Sequence, residues 1–161
     1  MNKVYVTHEK SDSKRLLDAA PTIVVEELIV VAVAGTQLAE IKEIFVFLDE
    51  AEEPVPPGET IQLHPHRHVH CHRCSKIKVT ANYAGRLKEH SFSPNSTIEK
   101  IERWAIDAFD LKGADRNNKE LHIGAANGPI APLENKIGMY VAHHEGCAVT
   151  VFLTPEMGYQ G

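Results

Sequence analysis

A basic excess is the first thing this sequence lacks. Its 17 Lys and Arg stand against 22 Asp and Glu, for a net charge of -5, so no surplus exists to neutralise a phosphate backbone or an anionic membrane. Neither nucleic acid nor membrane is an expected partner. Long apolar runs are also missing: the longest uncharged apolar stretch, Leu28 to Ala39, holds 12 residues, well short of the roughly 20 that a membrane span needs. The first 20 residues carry Lys3, Glu9, Lys10, Asp12, Lys14, Arg15 and Asp18 without a continuous apolar core, so they do not read as a secretory leader. Cysteine is scarce and odd in number. Three in a chain without an export signal point to reduced thiols in a cytoplasm.

Catalytic motifs are missing as well: no nucleophile elbow, phosphate loop, metalloprotease helix or paired acids can be found. Asp107, Asp110 and Asp115 read as a solvated face, and the single tryptophan, Trp104, reads as core or interdomain packing. The expectation is a protein that is not an enzyme and needs no cofactor. With 43% hydrophobic and 24% charged residues, the chain has the composition of one ordinary globular domain or two small ones.

What is present is a repeat. Lys3-Val4-Tyr5-Val6-Thr7 is echoed 73 residues later by Lys76-Ile77-Lys78-Val79-Thr80, and both alternate as half-buried strands do. A polar turn and a second alternating segment follow each, so each copy opens with a hairpin. Next comes a helix. Ser96 with Glu99 forms a capping-box signature, and Ile98, Ile101, Ala105 and Phe109 define one apolar face, which predicts a helix over 97–110. The first copy matches with Pro21-Thr22-Ile23, Glu26 and Glu27, predicting a helix over 22–34 despite its β-branched valines; Gly35 would stop it. Short strands at 43–48 and 120–123, Pro-rich excursions at 54–58 and 128–132, and final strands at 66–73 and 147–154 complete the two copies.

This order resembles the ubiquitin β-grasp, twice over: an α+β chain of two tandem ubiquitin-like domains, 1–75 and 76–154, with a flexible tail over 155–161. The residues carrying the likeness are Lys3 to Thr7, Thr22-Ile23, Ile44 to Leu48 and Thr60-Ile61, then Lys76 to Thr80, Thr97-Ile98, Leu121 to Ile123 and Val149 to Thr154. In particular the chain is similar to the tandem ubiquitin-like modifiers of bacterial anti-phage conjugation operons. That resemblance implies an activating enzyme, a conjugating enzyme, a deconjugating metallopeptidase and target proteins as partners. It also makes the C-terminal carboxylate the reactive group, expected at Gly161, which can thread a narrow channel because it lacks a Cβ. The usual pair of terminal glycines is replaced by Gln160-Gly161, so Gly158, exposed by trimming three residues, is the alternative. Phe152 is expected to point outward from the last strand, with Thr150 and Ala148 beside it, and Phe152, Pro155, Met157 and Tyr159 are the expected partner contacts. The competing reading is a β-grasp adaptor that is never conjugated. A sulfur carrier fits less well, since such carriers are usually single domains ending in two glycines.

One segment stays open. His64, His66, His68, His70, His72 and Cys74 all fall on even positions, so a strand puts them on one face. That face is read as solvated or interfacial, as one side of a zinc site with Cys71, Cys74, His144 and Cys147, or as a pH-sensitive interface. No metal is assigned.

Overall fold

The computed structural model describes residues 1–41 and 43–155. The chain forms two bodies with the same plan. The first runs β1 (Asn2–His8), β2 (Arg15–Ala19), β3 (Thr22–Val24), α1 (Val25–Val33), β4 (Phe45–Leu48), β5 (Thr60–Gln62) and β6 (His68–His72). The second runs β7 (Ile77–Tyr83), β8 (Arg86–Phe92), α2 (Ile98–Ala108), β9 (Lys119–Ile123) and β10 (Ala148–Pro155). Their main sheets have the orders β2-β1-β6-β4 and β8-β7-β10-β9. In each, an antiparallel hairpin is followed by a last strand lying parallel to the first, between it and the short third strand. This is the expected α+β arrangement of two tandem ubiquitin-like β-grasp domains.

Each body has its own core. Val4, Val6, Val46, Val69 and Cys71 of the first sheet close on Leu28 and Ala32 of α1, and Ile77, Val79, Leu121, Val151 and Leu153 of the second close on Ile98, Ile101 and Ala105 of α2. The alternation of each strand supplies the inner set.

The helix starts differ from expectation. Residues 22–24 are strand, pairing with β5, because three successive β-branched side chains suit a pleated surface better than a first helical turn. α1 therefore begins at Val25, and its cap residue Val24 offers no side-chain acceptor. α2 begins one residue later than the capping box predicts. Thr97, not Ser96, is the cap, its hydroxyl accepting from the Lys100 amide at 3.2 Å. The Ser96 carbonyl instead accepts from the Ile137 amide at 2.8 Å. In both bodies the excursion before the last strand finishes the cap: Glu59 accepts from Val25 N–H, and Asn135 and Leu133 accept from Ile98 and Glu99 N–H. α1 ends as expected, just before Gly35, whose φ of +76° only glycine adopts freely.

Two further expectations are corrected. The final strand of the first body spans 68–72 rather than 66–73, since His66 turns at φ +67°. The cysteines are not all thiols: Cys74 and Cys147 form a disulfide. They precede β7 and β10, which are parallel neighbours, so the fold brings their Cα atoms to 5.9 Å, within bridging range. Cys71 stays free and buried in the first core, where burial pushes its thiol up to about 12.

Candidate functional site

The histidine strand is an interface. Because β6 lies in the middle of its sheet, its outward side chains His68, His70 and His72 share a face with Thr7 of β1 and with Phe45 and Phe47 of β4, by the pairings Thr7 to His70, Phe47 to His70 and Phe45 to His72. The second body covers that face with the 3-10 turn Ile137–Tyr140. Gly138 is the contact point. A Cβ on it would lie 2.3 Å from His70 Nε2 and 2.8 Å from His72 Cδ2, so only glycine lets the turn approach this closely. His70 and His72 are fully buried as a result, while His64 and His66 lie exposed outside the seam.

Hydrogen bonds fix the ring states. The His72 Nε2–H donates to the carbonyls of Gly138 (3.1 Å) and Val141 (2.8 Å), and Nδ1 accepts from the Cys74 amide at 2.9 Å. That pattern is a neutral imidazole with its proton on Nε2. Thr7 Oγ1 bridges His68 Nε2 (2.9 Å) and His70 Nδ1 (2.7 Å), giving its proton to one and accepting from the other. Burial moves all three imidazoles below their ordinary range. His68 falls to about 4 with Lys136 and Lys14 assisting, and His70 falls well below its usual value, its histidine neighbours and Lys136 adding to the effect. For His72 the nearby Glu9 carboxylate partly offsets burial.

Glu9 is the charged centre of the seam. Only 1% exposed, it receives the Arg73 guanidinium and the backbone amides of Arg73 (3.3 Å) and His143 (3.1 Å). Burial opposes its charge, but these donors and His72 outweigh it and hold the carboxyl at about 2. At the other end of β6, by His68, Asn95 Nδ2 of the second body donates to the Asp49 and Ala51 carbonyls at 3.0 and 2.8 Å, and Lys136 Nζ donates to Asp49 O at 2.8 Å. Sequence reasoning missed Glu9, Asn95, Lys136 and Gly138, none of which belongs to a motif or a periodic set.

The zinc arrangement is not formed. The disulfide uses the sulfurs of Cys74 and Cys147, Cys71 points into the first core, and the described residues contain no cluster of three or more His, Cys, Asp or Glu able to hold a metal. Trp104 packs on the second core in ring contact with His90 and Phe92. Asp107 pairs with Arg116 at 2.7 Å.

The last strand carries the remaining candidates. In β10, Val151 and Leu153 are buried, whereas Phe152, half-buried, sits on the outer face opposite Asn82 and His122, with Thr150 half-buried and Ala148 exposed. Leu87 lies opposite Asn82 and is 60% exposed, so Leu87, Asn82, Phe152 and His122 form one row across all four strands. Among the described residues, no hydrogen bond, ion pair or ring contact links the first body to that row. Pro155 ends β10, exposed and paired with Lys119. Met157, Gly158, Tyr159 and Gly161 lie outside the described residues.

The fold and this free face define a class: a ubiquitin-like protein of two β-grasp domains. The family model described as BilA ubiquitin-like domain 2 matches residues 78–156, the second of the two bodies. Among solved structures, Caldiarchaeum subterraneum ubiquitin is similar at 17% identity over 52% of this chain and 99% of that one, with a TM-score of 0.40. The C-terminal ubiquitin-like domain of human 2'-5'-oligoadenylate synthetase-like protein gives 19% identity over 53% and 90%, with a TM-score of 0.39. A designed protein based on ubiquitin gives 13% over 54% and 96%, with a TM-score of 0.39. Curated proteins yield no match. Among the described residues no helix is long and apolar enough to cross a membrane.

Proposed function

We propose that this protein is a modifier, joined through a C-terminal glycine to amines on target proteins, and that it is not itself an enzyme. The observation that carries the reading is the family match across the whole second domain, whose last strand leads directly toward the tail. In this reading the terminal carboxylate attacks the α-phosphorus of ATP on an activating enzyme and releases pyrophosphate. A cysteine thiolate then displaces AMP, and after transfer to a conjugating enzyme a target amine displaces the thiolate to form an amide. Gly161 is the reactive end, with Gly158 the alternative if Tyr159, Gln160 and Gly161 are removed. Phe152 and Pro155, with Met157 and Tyr159 of the tail, face the activating enzyme, and a metallopeptidase reverses the bond.

A cytoplasmic location suits chemistry that consumes ATP. The resemblance to anti-phage conjugation operons makes phage defence the expected setting. The test is co-expression with the neighbouring genes, comparing the full chain with one lacking Gly161 by intact mass and gel mobility. Adducts that vanish on deletion support the reading. Loss of Tyr159 to Gly161 from the mature protein moves the reactive end to Gly158. Free protein in both samples, with the neighbours shown to be active, overturns it in favour of an unconjugated adaptor.

A further inference from the structure

The four edges of the two main sheets are not treated alike. β9 is covered by its own excursion, through Ile123 N–H to Pro129 O, Ala131 N–H to Leu121 O and a bridge between His122 and Ile130. β4 is met by Val55, whose N–H donates to Val46 O at 2.8 Å. β2 is only five residues long. β8 has seven residues, six of them exposed, and it pairs with β7 alone, so among the described residues no strand lies on its outer side. A long unpaired edge is a ready template for another strand.

Its side chains select which strand. Arg86, Lys88 and His90 lie opposite Tyr83, Ala81 and Val79, so they project on the α2 side as a row of bases in a protein whose net charge is -5. Arg86 lies over the Tyr83 and Phe109 rings, 5.6 and 5.3 Å from their centroids, and His90 meets Trp104. Lys88 has no ion-pair or hydrogen-bond partner among the described residues. A second copy of β8 laid antiparallel on this edge would set base against base, which is repulsive. An extended segment with Asp or Glu at alternate positions would meet the opposite charge along the row, make backbone bonds to the free edge, and turn its intervening apolar side chains to the other face of the sheet, beside the exposed Leu87.

We infer that the outer edge of β8 is a docking site for an extended acidic segment of a partner protein, bound as an added strand. The inference does not depend on conjugation of the tail. The probe is a fluorescein-labelled heptapeptide, Asp-Val-Glu-Val-Glu-Ile-Asp, titrated against the full chain by anisotropy. Its controls are the same peptide with lysines for the acids, and the same peptide N-methylated at alternate backbone nitrogens. Saturable binding of the acidic peptide is expected, weakened about tenfold or more by Lys88→Glu and by raised salt, with amide shifts confined to β8 and α2 in spectra that otherwise show an intact fold. Both control peptides should bind at least about tenfold more weakly. No saturation by about 1 mM peptide, a scale at which even weak specific contacts register, overturns the proposal. Equal binding of the lysine peptide removes the charge argument, and equal binding of the N-methylated peptide removes the added strand; either result also overturns it.

Discussion

The two β-grasp bodies share a topology and use their sheets in opposite ways. In the first, the outer face is buried: Thr7, Phe47, His70 and His72 lie beneath the Ile137–Tyr140 turn of the second body. In the second, the outer face carries Leu87, Phe152 and Ala148 toward solvent, and among the described residues no strand pairs with the outer edge of β8. The difference assigns roles. One sheet face is consumed in fixing the domains to each other, and the other remains open next to the strand that leads to the tail. The first domain spends its outer sheet face on the seam, and the second keeps its own accessible.

The largest test of that division removes the covalent tie of the second domain. The Cys74–Cys147 bridge spans 73 residues and clamps the starts of β7 and β10, so it closes a loop containing nearly the whole second domain and none of the first. Closing a loop of that length is worth about 4 kcal/mol in the chain-entropy picture. Cys74→Ser with Cys147→Ser should therefore lower the stability of the second domain by about that much and leave protection of β1 and β6 nearly unchanged. Urea unfolding followed by hydrogen exchange on β1 and β7 reads both domains at once. Equal losses in both would show that the domains unfold as one unit and erase the comparison. As a prior check, the denatured protein without reductant should titrate one thiol, Cys71.

Acid acts on the seam. His68, His70 and His72 have folded pKa values below 6.5, so between that value and their folded values the unfolded chain binds protons that the folded protein excludes, and stability falls as pH falls. Fully buried His70 alone costs about 1 kcal/mol by pH 5.5, with the other two adding to it. Glu9 acts lower on the scale. Held at about 2 against an ordinary 4.5, it adds stability above pH 4.5 that is lost as pH drops through 4.5 toward 2. Protection factors in β1 and β6 should thus decline from pH 7.5 to 5.5, while those on the outer side of β8 and β10 should not. A flat profile in β6 would contradict the buried neutral imidazoles.

The sequence shows the plan of the fold better than its seam. Alternation in Lys3–Thr7 and Lys76–Thr80 is enough to place both hairpins, and the 3.6-residue spacing of Ile98, Ile101 and Ala105 places α2. The row of even-numbered histidines reveals one face of β6 but not what lies on it, because an imidazole is equally at home in water and in a satisfied interface. A signal was available in β4. Phe45-Val46-Phe47-Leu48 is apolar at every position, as in a strand covered on both faces. Gly138, Glu9, Asn95 and Lys136 left no such trace, since each acts through a loop whose docking is set by tertiary contacts. The disulfide was missed for a different reason: cysteine count and compartment argue for thiols, whereas the pairing follows from two parallel strands beginning side by side.

The smallest test concerns the helices that support the two sheets. α2 has a side-chain cap, Thr97 to the Lys100 amide, and α1 starts at Val24 with none. Both receive carbonyls from the following excursion, so the hydroxyl is the part of the cap that differs. Thr97→Ala should cost the second domain about 1 kcal/mol, a typical loss for a Thr cap. Val24→Thr keeps the β-branched shape that suits the β3–β5 pair and adds the missing acceptor, so it should gain the first domain about 0.5 kcal/mol. The two substitutions together narrow the difference between the domains, and the exchange protection of α1 and α2 measures it. A loss at Val24→Thr would mean that packing of the valine methyls against the first core outweighs any cap. The first domain would then depend for its helix start on strand pairing and core contacts alone, as the β-branched run Thr22–Val25 suggests.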